Sequence, residues 1–241
     1  MIEPLAPLFR GALEEFGDAL IVDDGQAALE PLDTLLRGDR LAAELARFGG
    51  RYEQPESRAV ASQWSKLYFS RLLVPATAAA IAADWRLPLD PREMRVALDA
   101  QGGVATFALP HAGAASVPAD TEERFGFLVT EHLPPVIDSL ARASGLTRRV
   151  LWSNAGNLFE RVIVHCAQLL GEAHPGVRQG RELLARRRFA NGAANPLAEP
   201  VRYLADGTRQ RRVCCLRYLI PALPYCETCP LDRDPMVRSD S

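Results

Sequence analysis

The sequence predicts an α+β fold: one mainly helical domain with two β-hairpins, the last of which carries a cysteine cluster. Three observations lead there. Apolar residues recur at three-and-four spacing through most of the chain, the signature of helices with one buried face. That period changes around residue 93, where Met94–Leu98 and Val104–Leu109 flank Asp99–Gly103 and its glycine pair, the pattern of a hairpin. It changes again after residue 200, where Val201–Leu204 and Arg212–Leu219 flank a turn over 205–208.

Taken in order, the chain opens on a loosely specified stretch and a first helix. Asp33 is placed to cap it, Leu35, Leu36, Leu41, Leu45 and Phe48 supply its apolar face, and Gly49-Gly50 ends it. A longer helix begins after Pro55, with Val60, Trp64, Leu67, Tyr68 and Leu72 on one face. Pro75 is expected to kink or break it ahead of the alanine-rich run to Ala83. After the first hairpin, small residues and Pro118 mark an exposed loop from His111 to Asp120. Thr121 starts the next helix, which Pro134-Pro135 interrupts and Gly145 ends. Thr147 is placed to cap a helix running to about Leu170, and a shorter one spans Val177 to Phe189 before the turn chemistry of Asn191–Leu197. The organisation expected is a lead-in over 1–55 with one helix, a helical scaffold over 56–200 with the first hairpin, and a C-terminal hairpin and cluster segment over 201–241, together one folding unit.

Composition narrows the function classes. With 241 residues, 48% hydrophobic and 24% charged, the chain is an ordinary globular protein able to bury a sizeable core. A formal charge of -2 gives no footprint for nucleic acid. Lys66 is the only lysine; the remaining basic charge is arginine, spread along the chain. The first residues, MIEPLAPLFRGALEEFG, lack a signal-peptide pattern, and the apolar run from Leu72 to Ala83 is too short to span a bilayer. These features predict a cytoplasmic protein with reduced thiols, with peripheral attachment at the inner face of the membrane left open.

Four of the five cysteines fall within sixteen residues: Cys214-Cys215, ten residues, then Cys226-Glu-Thr-Cys229. Close thiolates hold zinc or an iron–sulfur group. Cys226-x-x-Cys229 is a knuckle of the kind that zinc uses, but the adjacent pair is not. On an extended strand its side chains start on opposite faces, which suits the separated ligand positions of a two-iron group better than a single ion. Zinc, fastening a non-catalytic binding module, stays as the alternative. Cys166 sits in an apolar helical pattern and reads as a buried structural thiol. The helix after Thr147 carries Asn154, Asn157, Arg161 and His165 at spacings of three and four beside Gly156. This stripe reads either as the wall of a ligand cleft or as a solvated helix face. No glycine-rich nucleotide or phosphate loop is present.

Arg211-Arg212-Val213-Cys214-Cys215-Leu216-Arg217-Tyr218, followed by Cys226-x-x-Cys229-Pro230-Leu231, resembles the C-terminal signature of the FhuF-type ferric siderophore reductases. Leu151-Trp152-Ser153-Asn154, Asn191-Gly192 with Asn195-Pro196-Leu197, and Leu72-Leu73-Val74-Pro75 resemble further segments of that family in the right order, so the likeness runs from about residue 60 onward. The resemblance implies a [2Fe–2S] protein that reduces iron(III) in imported siderophores, mainly of the hydroxamate type. It implies Cys214, Cys215, Cys226 and Cys229 as the cluster ligands, and a ferredoxin-like protein or reduced flavin as electron donor. It also strengthens the cleft reading for Trp152, Asn154, Asn157 and Arg161 as substrate contacts.

Overall fold

A long helix, Ser57–Ala82, runs through the middle of the molecule, and the other elements are laid against it. The structure, a computed structural model, describes residues 2–25 and 28–231; the last part of the segment expected to reach 241 lies outside the described residues. In chain order the strands are β1 (Leu20–Val22), β2 (Glu30–Pro31), β3 (Trp85–Arg86), β4 (Arg95–Leu98), β5 (Val104–Leu109), β6 (Ala114–Ala115), β7 (Val201–Tyr203) and β8 (Arg209–Arg211). The helices are α1 (Leu32–Leu35), α2 (Gly38–Gly49), α3 (Ser57–Ala82), α4 (Thr121–Gly126), α5 (Leu133–Ser144), α6 (Arg148–Leu170) and α7 (Pro175–Ala185). The α+β class, mainly helical, agrees with the sequence reading.

The helix α3 starts where the Glu56 carboxylate accepts from the Ala59 N–H at 2.7 Å, an N-cap. Trp64, Tyr68, Phe69, Leu72, Leu73 and Ala79 are fully enclosed, and α2, α5, α6 and α7 surround them. Pro75 does not break the helix. It removes one backbone hydrogen bond, but residues 72–81 are buried on all sides, and that packing outweighs the loss. Pro134-Pro135 does mark a discontinuity. The prolines occupy the first turn of α5, where no intrahelical N–H is needed, and Phe127–His132 just before them widens into a π-helical turn. The first expected helix is divided into α1 and α2, so Asp33 lies inside α1 rather than capping it.

The first hairpin, β4–β5, forms as expected. Asp99 accepts from the Gln101 and Gly103 N–H groups, Gly102 takes φ +78°, and Trp64 Nε1 donates to the Gly102 carbonyl at 2.8 Å. Two further strands join it in the order β1-β5-β4-β2, with β1 parallel to β5. Strands of two and three residues are too short to show a period, so the sequence reading missed them. The second hairpin is shifted from the expected one: β8 spans Arg209–Arg211, ahead of the strand expected over Arg212–Leu219, and the cysteines lie beyond it. The Arg212 N–H still donates to the Pro200 carbonyl in the β7–β8 register, while the Arg211 N–H donates outward to Thr228; beyond them Leu216 takes φ +58° and Arg217–Leu219 form a 3-10 turn, so no strand continues.

One buried titratable pair lies in the core. His132 is fully enclosed; its Nδ1–H donates to the Leu89 carbonyl at 2.7 Å, which leaves Nε2 to accept from the Tyr68 hydroxyl at 2.9 Å. Burial pushes the imidazole down to about 4. Because the folded value lies below the unfolded value of about 6.5, the neutral ring stabilises the fold above that pH. Unfolding free energy is expected to fall by about 1.4 kcal/mol per pH unit from this group as pH drops from 6.5 toward 4. Urea unfolding across that range should show the slope, and His132→Gln should lack it.

Candidate metal centre

The sixteen residues that hold the four clustered cysteines are folded against three fixed supports. The Ser62 hydroxyl of α3 donates to the Cys215 carbonyl at 2.6 Å. The Arg211 N–H at the end of β8 donates to Thr228 inside the second cysteine pair, and Gln210 Nε2 donates to the Cys229 carbonyl at 3.3 Å. Within that pair the Cys229 N–H donates to the Cys226 carbonyl at 2.9 Å, a tight knuckle. After the first pair, Leu216 adopts φ +58°, a conformation that a branched side chain rarely takes, and its N–H thereby turns back to Cys214 Sγ at 3.4 Å. The Leu231 N–H reaches Cys229 Sγ at the same distance. Backbone donors aimed at sulfur favour its thiolate form.

The sulfurs pair across the loop, not along it. Cys215 Sγ lies 3.7 Å from Cys226 Sγ, and the Cys214 thiol interacts with that of Cys229. A disulfide would need about 2.05 Å, so the near pair is unbonded. Two thiolates bound tetrahedrally to one metal at about 2.3 Å sit ~3.8 Å apart, which is the separation found here. Each pair takes one cysteine from the adjacent dyad and one from the knuckle, so neighbouring residues serve different positions. Among the described residues no three histidine, cysteine, aspartate or glutamate side chains converge on one metal position. A two-metal group with a ligand pair on each metal fits this arrangement, and a single ion fits it less well. Cys215 and Cys229 are buried, whereas Cys214 and Cys226 are half-exposed.

Electrostatics sharpen the picture. The hydrogen bond from Cys226 and the Lys66 ammonium, against burial, pull the Cys215 thiol down to about 4. Lys66 Nζ is 2.9 Å from Cys215 Sγ. Cys226, the donor in that bond, is pushed up, and burial raises Cys214. Cys166 stands apart in α6, raised to about 11 by burial, a structural thiol as expected.

The residues expected to form a substrate stripe are divided among three environments. Asn154 is 1% exposed and belongs to a buried knot: its Nδ2 donates to Ser62 Oγ at 3.0 Å and Ser65 Oγ at 2.9 Å, and its Oδ1 accepts from Arg211 Nη2 at 2.5 Å. Asn157 is half-buried and accepts from Arg209 Nη1 at 3.0 Å. Arg209 in turn pairs with Glu160, which also accepts from the Tyr203 hydroxyl. Trp152 is half-buried against the core. Gly156 faces Pro200, so close that an added Cβ would lie 2.8 Å from the proline Cβ; the close approach is made by the chain itself. Only Arg161 and His165 open onto a cavity, of about 470 Å³, which Phe16, Ser70, Glu160 and Arg209 also line. Sequence reasoning missed Ser62, Gln63 and Lys66. The one available signal was Lys66 standing as the sole lysine, on the helix that proves to underlie the cysteines.

Comparison with known proteins bears on this site directly. Residues 62–211 match the family model described as ferric iron reductase FhuF-like transporter, and residues 211–231 match the FhuF 2Fe-2S C-terminal domain. The chain is 29% identical over 178 residues to the ferric siderophore reductase of Escherichia coli (strain K12), covering 73% of this chain and 67% of that protein. The second match supports a [2Fe–2S] cluster within the segment whose sulfurs pair two and two.

The knot around Asn154 sets a test of structure against surface. Asn154→Ala leaves the Arg211 guanidinium without its carbonyl partner and is expected to cost roughly 2–4 kcal/mol in denaturant unfolding. Arg161→Ala, at an exposed position, should cost less than about 0.5 kcal/mol.

Proposed function

Since the chain belongs to the FhuF-like ferric iron reductase family and carries its 2Fe-2S C-terminal domain, we propose that it reduces iron(III) held by a siderophore of the hydroxamate type. The observation that carries this reading is the cross-loop pairing of sulfurs, with Cys215 and Cys226 at 3.7 Å. Cys214, Cys215, Cys226 and Cys229 would hold the [2Fe–2S] group, which when bound supplies single electrons. One electron turns the substrate's iron(III) into iron(II), which hard hydroxamate oxygens bind less well, and the freed oxygens take protons from water.

The chain's own residues divide the remaining work. Ser62, Arg211 and the knuckle hold the thiolates in place, and the half-exposed Cys214 and Cys226 form the outward side of the site. Beside them Tyr218 and Tyr225 stack at 5.8 Å with rings 15° apart, both exposed, a flat face that a large ligand can meet. Of the four residues read as substrate contacts, Arg161 is the one free to reach a ligand. Seven residues of α6 separate it from Asn154, about 10 Å along the helix. The cavity beside it is of a size that takes part of a siderophore. Asn154 and Asn157 act behind that wall, by fixing Arg211 and Arg209, and Trp152 packs against the core. The electron donor is a separate carrier, a ferredoxin-like protein or a reduced flavin, and the reaction is placed in the cytoplasm.

Anaerobically purified protein is expected to be coloured and to contain iron and acid-labile sulfide, about two of each per chain; Cys215→Ser should lose both. A colourless protein with stoichiometric zinc would overturn the reading. Arg161→Ala should raise KM for a ferric hydroxamate about tenfold, ~1.4 kcal/mol, with an unaltered visible spectrum. Unchanged kinetics would remove the cavity from the substrate site.

A further inference from the structure

The wall behind the cysteines holds more positive charge than its protein partners neutralise. Arg211 is 2% exposed, yet its guanidinium meets only the neutral oxygens of Asn154 and Ser153. Among the described residues its Nε has no acceptor. Lys66, half-buried, has Cys215 Sγ at 2.9 Å and the neutral Gln63 Oε1 at 3.2 Å as its contacts. Gln63 is itself buried, and its Nε2 also lacks an acceptor. Among the described residues no carboxylate forms an ion pair with Lys66 or Arg211. The contrast with buried Arg124 and half-buried Arg209 is plain: Arg124 pairs with Asp84, and Arg209 with Glu160.

A buried cation without a counter-charge, and a buried N–H without an acceptor, each destabilise a folded chain. Here two cations stand beside one group of sulfurs, and among the described residues no carboxylate answers them, so the sulfurs themselves, Cys215 first, are their counter-charge. One thiolate, at Cys215, balances one of these two charges; four thiolates around a [2Fe–2S] group balance both, because its net charge is negative and becomes more so by one on reduction.

We propose that Lys66, Arg211 and Gln63 are a built-in counter-charge and donor set for the electron-loaded state of this site. They raise its affinity for the incoming electron and so decide which donors can reduce it. Lys66 and Gln63 come from α3, almost 150 residues before the cysteines they serve. The inference rests on the [2Fe–2S] reading above and adds residues to it. Positive charge within a few ångströms, in surroundings less polar than water, favours the more negative redox state.

The test is a potentiometric titration of the loaded protein, followed by visible absorption, for the native chain, Lys66→Met, Lys66→Arg and Gln63→Leu. Lys66→Met is expected to weaken electron uptake at least tenfold, a midpoint lower by 59 mV for a one-electron couple. Lys66→Arg should restore most of that shift, because it returns the charge. Gln63→Leu should lower the midpoint by a smaller amount, because it removes one donor and no charge. If Lys66→Met takes up no cluster, Lys66→Gln is read in its place with the same expectation. A coloured variant whose midpoint equals that of the native chain would overturn the inference and leave the proposed function standing. A native chain that holds zinc and no iron would overturn both.

Discussion

Asn154 donates to Ser62 and Ser65 on α3 and accepts from Arg211 at the end of β8, while Ser62 donates onward to the carbonyl of Cys215. This one buried knot ties the central helix, the α6 helix, the last strand and the cysteine loop into a single unit. Each of its members is shielded from water, so each bond that breaks leaves a polar group unsatisfied in the interior. The cysteine segment packs Leu216, Leu219, Ile220 and Leu223 against the core, and the knot fixes its backbone at Cys215. A second set of bonds, from Arg209 to Asn157 and Glu160, holds the hairpin to the same helix one turn further on.

From that attachment the electrochemical character of the site follows. The helix α3 brings Lys66 against Cys215, and β8 brings Arg211 into the interior beside the same sulfurs. A four-thiolate site accumulates negative charge, and its surroundings decide how much that costs. Here the surroundings are cationic on the buried side and open on the side of Cys214 and Cys226. The buried face stabilises charge, and the open face admits partners. The aromatic pair at Tyr218 and Tyr225 is exposed near that open side.

The α6 helix serves both halves of the site. Its Asn154 end supports the cysteines, and its Arg161 and His165 end borders the 470 Å³ cavity. Spacing of three and four puts these residues on one side of the helix, but that side passes from the core to the surface along its length. One rigid element therefore sets the separation between the cysteine loop and the cavity.

Much of this was legible in the sequence, and the limit has a physical basis. Helices announce themselves through a period of 3.6 residues, and α3, α5, α6 and α7 were all read from it. The β4–β5 hairpin was read from its glycine turn. The spacing of Cys214-Cys215 and Cys226-x-x-Cys229 pointed to a thiolate metal site before any coordinates, because ligand spacing is a local property. What the tertiary structure alone decided was which sulfur faces which, and what lies behind them. Adjacent cysteines enter different pairs because the loop folds back onto β8, and no local pattern encodes that return. Asn154 looked like a surface residue because polar spacing on a helix is the same whether water or another helix faces it. Lys66 gave no sign of its role beyond its solitude, since 149 residues separate it from Cys215. The sequence by itself determined the donors of the site; the packing of α3 against α6 and β8 decided their charge environment, because electrostatic partners are set by distance in space and not along the chain.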